Sequence, residues 1–226
     1  MGEHDGHRAR MKERFLAHGL DNFEDHNILE LLLFYAQPRC DTNGIAHRLL
    51  DTFGTLSAVF DAEPEELMTV KGVGRSAAAL IRLVPAAARR YLMSKGELGT
   101  ILHGTECVGR FMIPRFMNSR TEEVYLLCLD PKYKLLDCRL VGEGGLTSAK
   151  LDIRRIVHTA LLHNAAYAIL AHNHISGIAL PSPEDKSATL MIRDALRLVD
   201  VELIDHIIVA GEDFVSLADD GLLGQT

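Results

Sequence analysis

The sequence predicts an α+β protein in which a small all-α domain precedes a domain with a mixed sheet. Apolar residues recur at helical spacing through the first ninety-odd positions, and a polar, glycine-punctuated segment follows at 94–99. Beyond that segment, strand-like runs alternate with amphipathic helical stretches. Helices first, then strands mixed with helices, indicate two domains. We expect these domains at residues 1–95 and 96–226.

The first domain is predicted to consist of short helices separated by turn signals. An apolar stretch at 28–35 ends near Pro38, and a second helical stripe ends at Gly54. Two shorter helical pieces are expected at 56–60 and 64–68. A glycine turn at 70–74 then leads into an alanine-rich helix that should run to about Tyr91.

The second domain is predicted to combine two hairpins, a buried strand and two amphipathic helices. The runs 123–129 and 134–141 flank a turn and indicate a β-hairpin. The continuous apolar run 166–171 is typical of a strand covered on both faces. The helical stripes are Ile153, Ile156, Val157, Ala160 and Leu161, then Ala188, Met191, Ile192, Ala195, Leu196 and Val199; a closing hairpin is expected at 201–209 and 214–217.

Composition excludes several classes of protein. No apolar run is long enough for a membrane helix, and the polar start is unlike a signal peptide. The four cysteines are scattered without a CxxC pair, so we expect reduced thiols in a cytoplasmic protein. Residues 1–95 carry 12 Lys/Arg and 13 Asp/Glu, whereas residues 96–226 carry 12 and 18. Because general electrostatic binding to nucleic acid needs the opposite sign, DNA contact would be local and in the first half.

Two histidines and an aspartate near the end of the buried strand form a candidate metal site. His172 and His174 share one face of a strand, and Asp185 follows at the start of a helix. Two imidazoles and a carboxylate with one open position are typical of catalytic zinc. Two alternatives remain open: the histidines could be solvent contacts, and the segment 182–185 is a capping box that explains Ser182 and Asp185 without a metal.

The glycine turn of the first domain is a candidate DNA contact. Gly72 and Gly74 allow a backbone to approach a phosphate, free N–H groups at the following helix start attract the anion, and Lys71 and Arg75 add positive charge. Such contacts position a protein on DNA without reading its sequence. The alternative is a corner between two helices with a packing role.

The segment His172-Asn173-His174-Ile175-Ser176-Gly177, with Pro181-Ser182-Pro183-Glu184-Asp185, resembles the zinc motif of JAB/MPN (JAMM) proteins in its RadC version, HNHPSG followed by PSxxD. The resemblance extends over nearly the whole chain. It implies a helix-hairpin-helix domain followed by a JAB/MPN-type, cytidine-deaminase-like domain, with a zinc-dependent peptidase or isopeptidase activity and a link to DNA repair. It further implies that His172, His174 and Asp185 bind Zn²⁺ and that Ser182 supports an oxyanion. His206 also matches the family, and a buried, hydrogen-bonded role is expected for it.

Two departures from the family pattern affect the expected activity. Ile175 stands where the family has proline, and Arg155 stands where the resemblance implies the glutamate that serves as general base. Because a guanidinium cannot accept a proton, the first hypothesis is a hydrolase whose activity is weak or lost. The second is an active hydrolase that uses another acid, such as Glu143 or Glu184. The third is an interaction module with a vestigial metal site.

Overall fold

The computed structural model describes residues 3–38, 40–95, 98–144 and 152–223. Its internal contacts divide the chain into two compact units, residues 1–90 and 91–226. The expected linker at 94–99 includes Gly96 and Glu97, which lie outside the described ranges. The fold is α+β, as predicted: helices precede a mixed five-stranded sheet.

The first unit is built from helices around one apolar core. These helices are α1 Glu3–His18, α2 Asp25–Ala36, α3 Asn43–Phe53, α4 Leu56–Asp61, α5 Pro64–Leu67 and α6 Arg75–Lys95. Helices α2 to α6 confirm the predicted segments. The sequence did not predict α1, because most of its side chains are polar; its Met11 packs with Leu31 and Phe34. No helix in the described ranges combines the length and apolarity needed to cross a bilayer.

The second unit is a mixed sheet with helices on both faces. Its elements are α7 Thr105–Phe116, β1 Glu123–Leu129, β2 Leu135–Glu143, α8 Ile153–Leu162, β3 Tyr167–Asn173, α9 Pro183–Arg197, β4 Glu202–Ala210 and β5 Asp213–Ser216. The strand order is β2-β1-β3-β4-β5. β3 and β4 are parallel and joined through α9, whereas the other neighbours are antiparallel.

Side-chain alternation along β3 divides its residues between two cores. Ala168 and Leu170 pack with residues of α8 and α9, whereas Ile169 and Ala171 pack with residues of α7. The strand is therefore buried on both faces, as its continuous apolar run predicted. His172 continues the series of Ala168 and Leu170, so it lies on the α8 and α9 face. The fold thus directs this histidine toward the helix that begins near Asp185.

Helix α7 was not predicted, and two of its residues explain why. Gly109 and Pro114 both disfavour a helix interior. Gly109 is needed for packing, because a Cβ at this position would lie 2.5 Å from the ring of Phe214. The contact with Phe214 of β5 therefore requires glycine at position 109, and glycine lowers the helix propensity of the segment.

The packing of α9 against the sheet gives the first testable prediction. Ile192 is fully buried in the core between α9 and the sheet. We expect Ile192→Ala to lower the free energy of unfolding by about 2–5 kcal/mol, since it removes buried methyl groups and leaves a cavity. Met191→Ala is the control, because Met191 is 42% exposed on the same helix. Urea denaturation followed by circular dichroism measures both; equal losses for the two variants would contradict this packing.

Candidate metal centre

Three side chains converge where β3 ends and α9 begins. The Nε2 atoms of His172 and His174 are 2.9 Å apart. Asp185 approaches them with Oδ1 at 3.2 Å from His172 Nε2 and Oδ2 at 3.4 Å from His174 Nε2. Among the described residues, His172, His174 and Asp185 form a group whose side chains could together hold one metal ion. The convergence expected from the sequence is therefore present.

The extended backbone beyond β3 keeps both histidines on one face. The His174 N–H donates to the Val209 carbonyl at 2.8 Å, which continues the bonding between β3 and β4 past Asn173. Residues two apart in extended backbone point the same way. His172 is buried, and the side chain of His174 is 16% exposed. The centre therefore has a closed inner side at His172 and access to solvent at His174.

The capping box at the start of α9 fixes the carboxylate. The Ser182 N–H and hydroxyl both donate to Asp185 Oδ2, at 2.8 and 2.7 Å, and the Asp185 N–H donates back to Ser182 Oγ. Burial alone would raise the pKa of Asp185, but a hydrogen bond from the protonated form of His172 and the two hydrogen bonds from Ser182 outweigh it and hold the pKa well below its ordinary value. Asp185 is thus an ionised carboxylate with Oδ1 turned to His172.

A chain of hydrogen bonds behind His172 assigns its tautomer. The Thr189 hydroxyl lies 2.6 Å from both the Asp185 carbonyl and His206 Nδ1, and His206 Nε2 lies 2.8 Å from His172 Nδ1. Because the carbonyl can only accept, the single hydroxyl hydrogen goes to it, and His206 Nδ1–H must donate to Thr189. His206 Nε2 is then an acceptor for His172 Nδ1–H. In the neutral form of His172, the Nε2 atom is then left with a lone pair directed at the centre.

Burial keeps His206 in the neutral form that this chain requires. The residue is fully buried, and burial, together with the neighbouring His172, holds its pKa well below the ordinary value for histidine. His206 therefore has the buried, hydrogen-bonded role expected from the sequence.

His174 has the same tautomer as His172 for a different reason. Its Nδ1 atom lies 3.1 Å from the Ile178 carbonyl, so Nδ1 carries the hydrogen and Nε2 carries a lone pair. When both histidines are neutral, two nitrogen lone pairs and a carboxylate thus face one another with no hydrogen between them. Such a donor set is stabilised by a shared cation. A tetrahedral zinc ion with ligand distances of about 2.0–2.2 Å separates its donors by roughly 3.3–3.6 Å. The two histidine–carboxylate distances are close to this range, whereas the 2.9 Å between the two Nε2 atoms is shorter.

The sequence reasoning missed Glu122, which is the residue preceding β1. Val124 of β1 lies opposite His172 of β3, so Val124 and His172 share a face of the sheet. If the alternation continues one residue beyond β1, the Glu122 side chain is expected on that same face, at the level of His174. Glu122 is partly buried, and its carbonyl accepts from the Gly144 N–H at 2.6 Å. The pairing between β1 and β3, which no local motif reveals, is the signal that identifies it.

Arg155 is bonded to the outer strand of the sheet. It lies in the first turn of α8, where its N–H is capped by Asp152 and its guanidinium donates to the Leu140 carbonyl of β2 at 2.9 Å. β1 separates β2 from β3, so that carbonyl is roughly 10 Å across the sheet from the strand carrying His172. The described hydrogen bonds of Arg155 therefore do not involve the converging side chains. Its substitution for a general base stays a prediction from the resemblance.

The alternative acids are both on the surface. Glu143 is the exposed last residue of β2, and Glu184 is exposed beside the buried Asp185. No described contact joins either carboxylate to the metal centre.

The glycine turn of the first unit joins α5 to α6. Lys71, Gly72, Gly74 and Arg75 are all exposed, as a DNA contact requires. Arg48 donates to the Lys71 carbonyl and Gln37 to the Gly72 carbonyl, so other helices support the turn. Gly72 has a φ of 100°, which favours glycine. This support agrees equally with a packing corner, and DNA contact stays a prediction.

Comparison with known proteins matches residues 102–222 to the RadC-like JAB domain and residues 6–79 to the UPF0758 N-terminal family. A UPF0758 protein of Bordetella parapertussis is 39% identical over 212 residues, which cover 94% of each chain. A UPF0758 protein of Burkholderia thailandensis is 37% identical and covers 93% of this chain and 80% of its own. One from Burkholderia mallei is 36% identical, with 93% and 76% covered. The first match includes every residue of the metal centre.

The hydrogen-bond chain behind His172 predicts that His206 contributes to metal affinity without touching the ion. We expect His206→Leu, which fills the volume but removes the acceptor, to weaken zinc binding about 10- to 100-fold, because His172 Nδ1–H loses its partner. Thr189→Val should act in the same direction. His158→Ala, at an exposed position of α8, is the control. Competition of apo protein with a chromogenic zinc chelator measures the affinities; equal affinities in wild type and His206→Leu would contradict the chain.

The glycine turn predicts salt-sensitive DNA binding through Lys71 and Arg75. We expect a Lys71→Ala, Arg75→Ala double variant to reduce the slope of log affinity against log salt by about 2, since each phosphate contact contributes about 0.9. Arg90→Ala, an exposed position farther along α6, is the control. Fluorescence anisotropy of a labelled duplex across a salt series measures the slope. Wild-type protein that fails to bind at low salt would end the DNA proposal.

Proposed function

This chain belongs to the UPF0758 family of proteins with a RadC-like JAB domain, and we propose that it is a zinc-dependent hydrolase of amide bonds in peptides or proteins. The observation that carries the proposal is the convergence of the Nε2 atoms of His172 and His174 with the Asp185 carboxylate, within 3.4 Å of one another. His172, His174 and Asp185 would hold the ion. A zinc ion with three protein ligands and an open position acidifies water and polarises a carbonyl.

The proposal assigns proton transfer to Glu122. Hydrolysis of an amide needs a base that takes a proton from water and returns it to the leaving nitrogen. Alternation from Val124 places Glu122 on the sheet face of His172, and Glu122 is partly buried, whereas Glu143 and Glu184 are exposed. This assignment favours an active enzyme over the weak or inactive one expected from Arg155 alone.

Ser182 has a clear structural task, and its expected oxyanion role is secondary in this proposal. The Ser182 hydroxyl has one hydrogen, which it donates to Asp185 Oδ2 at 2.7 Å. Donation to an oxyanion would require that bond to break. Ser182 therefore acts mainly by holding Asp185 in place, and its contribution to catalysis passes through the carboxylate.

A cavity of about 430 Å³ borders His174, and its wall includes Ile113 and Phe116 of α7. It therefore extends to the α7 side of the sheet, opposite the face that carries His172. A second cavity, about 670 Å³ and lined by residues of α9 and β4 such as Arg197, shares no residue with the metal centre.

Glu122→Gln tests the proposed chemistry. We expect kcat to fall by about 10²–10⁴-fold with zinc content retained, because the amide of glutamine cannot take up the proton. Glu143→Gln and Glu184→Gln are matched controls and should keep wild-type turnover. The assay uses zinc-loaded protein and a library of internally quenched peptides with randomised residues around the cleavable bond.

Several outcomes of that assay separate the proposals. Wild-type protein that binds zinc but cleaves nothing in the library would contradict the hydrolase and favour an interaction module. Full turnover by Glu122→Gln would contradict the assignment of Glu122 as the base and leave the hydrolase function itself standing. His172→Ala should abolish both zinc binding and turnover, and turnover that survives it would show that the activity arises elsewhere.

A further inference from the structure

The residue between the two histidines uses its whole side chain to bind the start of β1. Asn173 is 5% exposed, and its Oδ1 accepts from the Glu123 N–H at 2.6 Å. Its Nδ2 donates to the Thr121 carbonyl at 3.1 Å. The two bonded groups flank Glu122 on either side. Asn173 therefore hydrogen-bonds to the backbone immediately before and after Glu122, the proposed base.

These two bonds extend the pairing of β1 and β3 beyond its last backbone partners. The pairing ends at Val124 opposite His172, and the Asn173 side chain takes over from there. Thr121 and Glu123 direct main-chain groups toward β3, while Glu122 directs its carbonyl to Gly144 after β2. This alternation is that of an extended strand, so residues 121–123 continue β1 in conformation. Glu122 is thereby held from both sides.

The neighbouring glutamate shows which way Glu122 faces. The Tyr125 hydroxyl lies 3.4 Å from Glu123 Oε2, and Tyr125 packs in the core on the α7 side of the sheet. Glu123 therefore belongs to the α7 side. In extended backbone the preceding side chain takes the opposite side, which is the one that carries His172 and the metal centre.

Asparagine is suited to these hydrogen bonds because it offers a donor and an acceptor on one short side chain. The Glu123 N–H needs an acceptor and the Thr121 carbonyl needs a donor. Aspartate would place an acceptor against the Thr121 carbonyl, and leucine, of similar shape, would satisfy neither group. Loss of both bonds would leave the Glu123 N–H and the Thr121 carbonyl without these partners at a part-buried position.

We propose that Asn173 is a positioning residue: by bonding Thr121 and Glu123 it holds Glu122 at the level of His174, next to the metal centre. The proposal rests on the hydrolase function and on Glu122 as its base. Asn173 itself takes no part in the proton transfer and acts through the backbone of the residues beside Glu122.

The test compares Asn173→Leu in two backgrounds, wild type and Glu122→Gln. In the wild-type background kcat should fall by about 100-fold with KM and zinc affinity unchanged, because a catalytic group moved by about an ångström loses effectiveness of this order. In the Glu122→Gln background the same substitution should change kcat little, since the base is already absent. A purely structural role would lower kcat equally in both backgrounds and would overturn the proposal.

Hydrogen exchange of the Glu123 amide gives a readout that needs neither zinc nor turnover. In Asn173→Leu this amide should exchange on the order of tenfold faster, because its hydrogen bond is lost. The matched control is Asp130→Ala: Asp130 accepts from the Lys132 and Lys134 N–H groups at the opposite end of β1. That variant should affect stability without altering Glu123 exchange or the kcat of wild type.

The two readouts separate the failure of this proposal from failure of the proposed function. Unchanged Glu123 exchange in Asn173→Leu would overturn the positioning role whatever the activity. Accelerated exchange combined with full turnover by Glu122→Gln would mean that the two Asn173 hydrogen bonds exist but that Glu122 is not the base. The positioning role would then be contradicted as well. Should Asn173→Leu fail to fold, Asn173→Ala serves in the same comparison.

Discussion

The candidate metal centre depends on one electrostatic constraint: two imidazole nitrogens and one carboxylate are held within 3.4 Å of one another where β3 ends and α9 begins. In their neutral forms His172 and His174 contribute Nε2 lone pairs, and Asp185 contributes an ionised carboxylate. Donors held this close repel one another unless a cation lies between them. The surrounding structure resists that repulsion, because each donor is anchored by a hydrogen bond on its far side. These side chains are thus held in an arrangement that could bind a metal ion.

The anchors come from different levels of the structure. His174 is anchored locally, by a carbonyl four residues along its own loop, and Asp185 by the capping box of α9. His172 is anchored through His206 of β4, whose own partner Thr189 is again on α9. The capping box and the metal site, which the sequence left as competing explanations of Ser182 and Asp185, are therefore compatible. The cap orients the carboxylate that the metal would use.

The sequence predicted the parts of this site that depend on local pattern. The run at 166–171 predicted a buried strand, and the His-x-His spacing with a capped helix predicted the converging residues. Glu122 could not be found this way, because its place is set by pairing between strands about fifty residues apart in the chain. Helix α7 was not predicted because glycine disfavours a helix interior. Position 109 requires glycine because of its contact with the Phe214 ring, which local sequence does not reveal. Arg155 stands where the resemblance implies the glutamate of the general base, whereas its guanidinium donates to the Leu140 carbonyl of β2.

The most direct test of the metal centre is the tautomer and ligation state of its histidines, measured by long-range ¹H–¹⁵N correlation of the imidazole rings during zinc titration. We expect His172, His174 and His206 all to carry hydrogen on Nδ1. One equivalent of zinc should then shift the Nε2 resonances of His172 and His174 to metal-bound values and leave His206 without ligation. Hydrogen on Nε2 of His172 or His174 in the apo protein at neutral pH, or rings that do not respond to zinc, would contradict this expectation.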